Sequence, residues 1–242
     1  MRLSHAIVCY FLCHYAMTSW ANGAIDDDRF ITYFVDPRQQ QLQLVWKKPS
    51  GEPYKHFEVI DNALSEQGKT LRFAMNAGIF QQDLTPLGLY IEKGQLQYRL
   101  NRRQDAYGNF YIQPNGVFLL DSAGQADIIA TTEFVMQDNI HYATQSGPML
   151  VIDKTINPAL SPDSNSYRVR NGVGILEDGR LVFVISRGFI RFYDFARYFL
   201  LLGCQQALYL DGSISKMYLP SQDILQDGTF GPMIIEVGPE QH

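Results

Sequence analysis

The 242-residue chain is short of several residue types, and each shortage excludes a class of protein. Three cysteines are too few for a disulfide scaffold or a cysteine-based zinc module. Charged residues make up only 19% against 46% hydrophobic residues, which excludes global disorder and allows a sizeable core. Positive charge is not in excess either. The formal net charge of −5 argues against nucleic acid as the main partner.

Several metal and cofactor signatures are also missing. The sequence has no histidine and cysteine spacing typical of zinc, no phosphate-binding glycine-rich loop and no EF-hand loop. We therefore expect neither a metal site nor a cofactor.

Residues 1–21 predict a secretory signal peptide. A short polar start precedes the apolar run Ala6–Met17, and a small-x-small cleavage sequence ends at Ala21. This run is shorter than the ~20 residues that a membrane span needs, although an uncleaved N-terminal anchor is the alternative. We expect a periplasmic or secreted bacterial protein without stable membrane insertion. Cleavage would leave one thiol, Cys204, which we expect to be buried.

Residues 25–242 show no change of composition and predict one domain. Short strands alternate with turn residues, which favours antiparallel pairing. The predicted hairpins pair Ile31–Val35 with Leu42–Trp46, Leu89–Glu92 with Gln95–Leu100, Val117–Leu120 with Ala126–Ala130, and Val173–Leu176 with Leu181–Ser186. The predicted helices are Tyr54–Gln67, which ends at Gly68, and Asp194–Leu202, which Asp194 caps and Gly203 ends.

The strongest candidate for chemistry is the carboxylate of Asp211. It follows the apolar run Ala207–Leu210 directly, and Gly212 allows the backbone to turn or a ligand to approach. Ser213 and Ser215 add hydroxyl groups nearby. A partly desolvated carboxylate can serve as acid, base or nucleophile. The alternative is an ordinary Asp-Gly turn.

Other polar residues also lie at points where strands begin or end. Asn76 follows an apolar run and offers both a donor and an acceptor, or else it only forms a turn. Arg168 and Arg170 would share one face of a strand and could bind a phosphate, or they are solvated on an edge. Ser146 and Gly147 precede a proline, where the hydroxyl could donate to a phosphate or cap a turn.

Four motifs together resemble the phosphodiester glycosidase family. In chain order they are Asn76–Phe80, Ser146–Leu150, Arg170–Gly174 and Leu210–Ser215. The family often has a second glycine in the last motif, where this chain has Ser213, and its arginine motif often continues differently from Asn171-Gly172. The resemblance runs from about residue 70 to a strand at Met233–Val237. It implies a single-domain α+β fold with a mixed, mainly antiparallel sheet, a few packed helices and a cleft built from loops and strand ends.

The resemblance also implies an exported hydrolase that cleaves a sugar from a phosphodiester, either small or polymeric. The expected catalytic residues are Asp211, Arg170 and Asn76, and the expected substrate-binding residues are Arg168, Ser146, Gly147, Gly212, Ser213 and Ser215. Two other functions stay open at this point. One is a non-catalytic module that binds a phosphate- or sugar-bearing polymer of the cell envelope. The other is an acyl or amide hydrolase that acts through Ser146.

Overall fold

The computed structural model describes residues 27–239, so the predicted signal peptide lies outside the described residues. Within this range the chain forms three β-sheets, in which every strand pairing is antiparallel, and two α-helices. No helix in the described part of the chain is both long and apolar enough to cross a membrane.

The elements are as follows in chain order. The strands are β1 (Phe30–Val35), β2 (Gln41–Val45), β3 (Lys69–Asn76), β4 (Tyr90–Glu92), β5 (Gln95–Tyr98), β6 (Gly116–Asp121), β7 (Ala126–Ala130), β8 (Ile140–Ser146), β9 (Met149–Ile152), β10 (Thr155–Ile156), β11 (Asn171–Leu176), β12 (Leu181–Ser186), β13 (Cys204–Asp211), β14 (Met217–Leu219), β15 (Ile224–Leu225) and β16 (Met233–Pro239). The helices are α1 (Phe57–Ser65) and α2 (Phe192–Leu201), with short 3₁₀ turns at Asn109–Tyr111 and Pro220–Gln222.

The three sheets share one hydrophobic core. The six-stranded sheet has the order β1-β12-β11-β13-β9-β10, and the two five-stranded sheets have the orders β15-β14-β3-β16-β2 and β5-β4-β8-β6-β7. Ile31 of the first sheet, Phe73 of the second and Phe118 of the third belong to the same buried cluster. Because all three sheets bury side chains in this cluster, the described chain is a single, sheet-rich domain. The expected α+β class is therefore too loose a description, since sheet predominates over helix.

Three of the four predicted hairpins are confirmed. Strands β4 and β5, β6 and β7, and β11 and β12 pair as expected across their tight turns. The opening hairpin is wrong, because β1 pairs with β12 and β2 pairs with β16 in another sheet. The turn after Asp36, closed by the Gln40 N–H donating to the Asp36 carbonyl at 2.8 Å, carries the chain from one sheet to the next. Long-range partners decide the pairing there, and the turn residues do not reveal them.

Both predicted helices are present, with shifted ends. Helix α2 begins two residues earlier than expected and has no side-chain cap at its N-terminus. Asp194 is therefore not the cap. It lies in the first turn, where its carboxylate accepts a hydrogen bond from Arg191 Nε at 2.7 Å. Gly68 and Gly203 follow the two helices with φ angles of 65° and 86°, as expected for residues that end a helix.

Helix α2 packs closely against the six-stranded sheet. A Cβ atom at Gly174 of β11 would lie 2.5 Å from Cys204 Sγ and 2.7 Å from Phe199 Cδ1, so only glycine allows this approach. Cys204 is buried as expected, and burial raises the pKa of its thiol to about 12. The helix thereby supports β11 and β13, whose ends carry two of the polar residues described below.

We expect Phe183→Ala to lower the free energy of unfolding by about 3–5 kcal/mol, because a buried ring is replaced by a cavity. Phe183 is fully buried on β12, and its ring centroid lies 5.0 Å from that of Phe73. Phe34 on the adjacent strand β1 is 44% exposed and provides the matched control. Phe34→Ala should cost at most about 1 kcal/mol. Urea denaturation measures both, and equal losses would contradict this account of the core.

Candidate active site

The expected catalytic carboxylate lies where the ends of the three sheets meet. Asp211 is the last residue of β13, Asn76 the last of β3 and Ser146 the last of β8, one strand from each sheet. Asn76 Nδ2 donates to Asp211 Oδ2 at 2.7 Å, and Ser146 Oγ donates to the Leu210 carbonyl at 3.0 Å. The structure thus brings these residues together although they are far apart in the sequence.

Both oxygens of the Asp211 carboxylate accept hydrogen bonds. The backbone N–H groups of Gly212 and Ser213 donate to Oδ1 at 2.5 Å and 2.9 Å, while Asn76 holds Oδ2. The residue therefore closes an Asp-Gly turn and also lines the cleft described below. The predicted Asp-Gly turn is present, and the same hydrogen bonds that fix the turn also orient the carboxylate in the cleft.

The protonation of Asp211 reflects opposing effects. Burial raises the pKa of the carboxyl above its ordinary value of 3.8, since only 7% of the residue is exposed. The N–H groups of Ser213 and Gly212 and the amide of Asn76 lower the pKa, because they stabilise the charged form. Burial is the larger effect. A carboxylate with a raised pKa and fixed orientation is suited to acid–base or electrostatic work.

The orientation of the Asn76 amide follows from its other partners. Its Oδ1 accepts hydrogen bonds from Asn171 Nδ2 and from the Lys216 N–H, each at 3.0 Å. Because two donors hold the oxygen, the nitrogen must face Asp211 and donate to it. Asn171 lies opposite Asp211 in the β11–β13 pairing. In the sequence, Asn171 is only one residue of the Arg170–Gly174 motif, and its contact with Asn76 becomes evident only from the strand register.

The other predicted polar residues differ in accessibility. Ser213 is exposed and lines the cleft, whereas Ser215 is buried and its Oγ donates to the Asp211 carbonyl at 2.7 Å. Ser146 is also fully buried, which leaves the acyl-hydrolase alternative without structural support. A Cβ atom at Gly147 would lie 2.5 Å from the Asn115 Cβ, so this glycine is needed for close packing.

Arg170 is fully buried. Its Nε donates to the Ile190 carbonyl at 2.9 Å, its Nη2 donates to the Ser166 carbonyl at 2.7 Å, and its guanidinium carbon lies 3.5 Å from the Phe192 ring centroid. Burial lowers the pKa of this guanidinium, which nevertheless stays charged. Among residues 27–239, Nη1 has no hydrogen-bond partner and no carboxylate pairs with Arg170. Its charge is uncompensated.

Arg168 is more accessible than Arg170 and lines the same cleft as Asp211. Its Nη1 donates to the Tyr167 carbonyl at 2.7 Å, and no ion pair with a carboxylate is found for it in the described residues. The structure therefore separates the two arginines that the sequence placed together. Arg168 is accessible to a ligand in the cleft, whereas Arg170 lies beneath the surface.

The cleft has a volume of about 630 Å³ and combines apolar walls with polar groups. Its lining comprises Ile79, Leu87, the segment 106–112, Ser166, Arg168, Tyr209, Asp211 and Ser213. Tyr107 of that segment is fully exposed. Within residues 27–239 no three His, Cys, Asp or Glu side chains cluster as metal ligands would. The cleft therefore offers one carboxylate, one accessible cation and hydrogen-bonding groups.

A model of the phosphodiester glycosidase family matches residues 69–232, a range that contains Asn76, Ser146, Arg170 and Asp211. The chain belongs to the phosphodiester glycosidase family. This phosphodiester glycosidase family member is also 40% identical, over 188 residues, to the uncharacterized protein YigE of Escherichia coli K12. That alignment covers 77% of this chain and 73% of YigE.

Solved structures share the fold of this family member. The catalytic domain of zebrafish N-acetylglucosamine-1-phosphodiester α-N-acetylglucosaminidase, auto-inhibited by its pro-peptide, matches with a TM-score of 0.59 and 13% identity. The match covers 87% of this chain and 84% of that domain. A hypothetical protein from Synechocystis matches with a TM-score of 0.51 and 14% identity, over 86% of this chain and 59% of its own. At these identities the likeness establishes the fold alone.

The raised pKa of Asp211 predicts a characteristic dependence of stability on pH. The folded state binds the carboxyl proton more tightly than the unfolded state does, because its pKa lies above 3.8. The free energy of unfolding of the wild type, relative to Asp211→Asn, should therefore increase as the pH falls through the Asp211 pKa toward that value. Chemical denaturation of both proteins from neutral to acidic pH measures the difference. A difference that does not change with pH would show that burial leaves this carboxyl unperturbed.

Proposed function

We propose that this member of the phosphodiester glycosidase family hydrolyses the bond between the anomeric carbon of a sugar and a phosphodiester oxygen. The observation that carries the proposal is Asp211, a buried carboxylate whose two oxygens are fixed by donors in a cleft that also contains Arg168. Membership of the family supports the reaction class.

The reaction places few demands on the protein. Cleavage of the anomeric C–O bond releases a phosphate monoester, which is a weaker base than the alkoxide that leaves an ordinary glycoside, so little general acid catalysis is needed. The positive charge that develops at the anomeric carbon requires a nearby carboxylate, or a water molecule that this carboxylate activates. Asp211 can serve either purpose, because Asn76 and the turn N–H groups hold it in one orientation. A preorganised group costs no reorganisation when the charge develops.

The two arginines supply the positive charge that a phosphodiester requires. Arg168 lines the cleft without a carboxylate partner among the described residues and would bind the phosphate directly. Arg170 is buried without a counter-ion in the same part of the chain, and its charge would favour an anion in the adjacent cleft. Its two backbone hydrogen bonds also tie Ser166 to Ile190 and so shape the cleft.

The proposal includes export to the periplasm or out of the cell. Its support is the polar, apolar and small-residue order of residues 1–21. A sugar phosphodiester of the cell envelope would be accessible to the protein there.

Asp211→Asn should lower turnover of a sugar 1-phosphodiester by at least about a hundredfold, because the substitution removes the charge that acts in the transition state. Asp178→Asn is the matched control, since Asp178 also precedes a glycine but lies in an exposed turn between β11 and β12. Its activity should equal that of the wild type. Steady-state kinetics and melting curves of the three proteins provide the measurement.

Two outcomes would contradict the catalytic assignment. Near-normal turnover by a folded Asp211→Asn variant would show that the carboxylate only closes the turn. A wild type that binds sugar phosphodiesters tightly but never turns them over would favour the binding module instead.

Arg168→Ala should raise KM for the same substrate about tenfold or more, because the substitution removes a contact with the bound phosphate. It should also lower kcat, because this phosphate is the leaving group and gains negative charge in the transition state. Higher salt should raise KM of the wild type more than that of the variant, since an exposed charge is screened. Arg103→Ala, at an exposed position outside the cleft, is the control. If KM and its salt dependence are unchanged in Arg168→Ala, the phosphate does not contact this residue.

A further inference from the structure

Asn109 lies in the cleft wall and has not been assigned a role. It is the first residue of the 3₁₀ turn Asn109–Tyr111 and follows Gly108, whose φ angle is 119°. The residue is partly buried and lines the same cleft as Asp211. Its Nδ2 donates to the hydroxyl oxygen of Tyr209 at 3.2 Å. Asn109 Oδ1 makes no hydrogen bond to any described residue.

Tyr209 connects Asn109 to the turn formed by Asp211, Gly212 and Ser213. It precedes Asp211 by two positions on β13, and both side chains line the cleft although the β11–β13 register shifts between them. A Cβ atom at Gly212 would lie 1.8 Å from the Tyr209 hydroxyl oxygen, which shows that this oxygen packs directly against the Gly212 α-carbon. The Gly212 N–H in turn donates to Asp211. A continuous series of contacts therefore links Asn109 to the carboxylate.

The Tyr209 hydroxyl is a rigid support. The residue is fully buried, and its ring makes an edge contact with Phe192 at a centroid distance of 4.7 Å. Burial raises the pKa of the hydroxyl, and so does the negative charge of Asp211, so the group stays protonated at neutral pH. With the Asn109 amide nitrogen donating to this hydroxyl, the amide oxygen is the group left to accept a hydrogen bond in the cleft.

We propose that Asn109 is a specificity-determining residue whose Oδ1 accepts a hydrogen bond from a hydroxyl group of the sugar, and that Tyr209 positions it. The inference rests on the proposed function, because it takes Asp211 as the group that acts at the anomeric carbon. The substrate class is then a sugar with a hydrogen-bond donor near that carbon. A site that offers such an acceptor discriminates against an analogue lacking the donor, since the acceptor is left unpaired.

The test uses glucose 1-(methyl phosphate), a phosphodiester that links the anomeric carbon of glucose to a methyl group. It compares this parent compound with each of its monodeoxy analogues. In the wild type, kcat/KM relative to the parent should fall about tenfold or more for the analogue that lacks the recognised hydroxyl. Asn109→Ala should lose this discrimination, because kcat/KM falls for the parent and stays nearly constant for that analogue. Tyr209→Phe should reduce the same discrimination by a smaller factor. Asn139→Ala, at an exposed position outside the cleft, should leave it unchanged.

The discrimination is a ratio measured within one variant, so a smaller folded fraction does not alter it. The inference is overturned if the wild type does not discriminate, or if Asn109→Ala lowers kcat/KM equally for the parent and every analogue. In that case a strong effect of Asp211→Asn leaves the proposed function intact. If the wild type neither binds nor hydrolyses any of these glucosyl compounds, this inference fails, whereas the proposed function fails only if no sugar 1-phosphodiester is hydrolysed.

Discussion

The buried hydrogen bond between Asn76 and Asp211 is the interaction on which the site depends. A carboxylate with so little exposure is tolerated only when donors satisfy its oxygens. Asn171 and Lys216 fix the Asn76 amide oxygen, and this leaves the amide nitrogen facing Asp211. In this network, backbone and side-chain donors are all oriented so that the final hydrogen bonds are accepted by the carboxylate of Asp211. Removing any member would leave an unpaired polar atom in the protein interior.

The architecture brings Asn76 and Asp211 together from different sheets. Asn76 and Asp211 end strands of different sheets, and their shared hydrophobic core holds those sheets together. The close approach of α2 at Gly174 holds β11, which places Asn171 opposite Asp211. Arg170 contributes a buried positive charge to the same region, and no carboxylate among residues 27–239 pairs with it. Buried charge of both signs costs stability, and a substrate carrying an anion beside a developing cation would complement each charge.

The sequence revealed those parts of the site that depend on local pattern. Asp211 and Asn76 were predictable because each is a polar residue that directly follows an apolar run. The burial of Arg170 could not be predicted from local pattern, because the ring that covers its guanidinium belongs to Phe192, in a helix that follows later in the chain. Tyr209 was read only as part of an apolar strand, and Asn109 had no distinguishing motif. The opening hairpin failed for a similar reason, because distant partner strands competed with the local turn.

The separation of the site residues along the chain has a consequence for folding. Asn76 and Asp211 are 135 residues apart, and β16, which pairs with β3, ends at Pro239. Closing such a long loop carries an entropic cost that only the assembled core can offset. A nascent chain that ends before β13 lacks Asp211 altogether, and one without β16 lacks the strand that pairs with β3 and supports Asn76. The hydrogen bond between Asn76 and Asp211 can therefore form in its native setting only after both β13 and β16 have been synthesised.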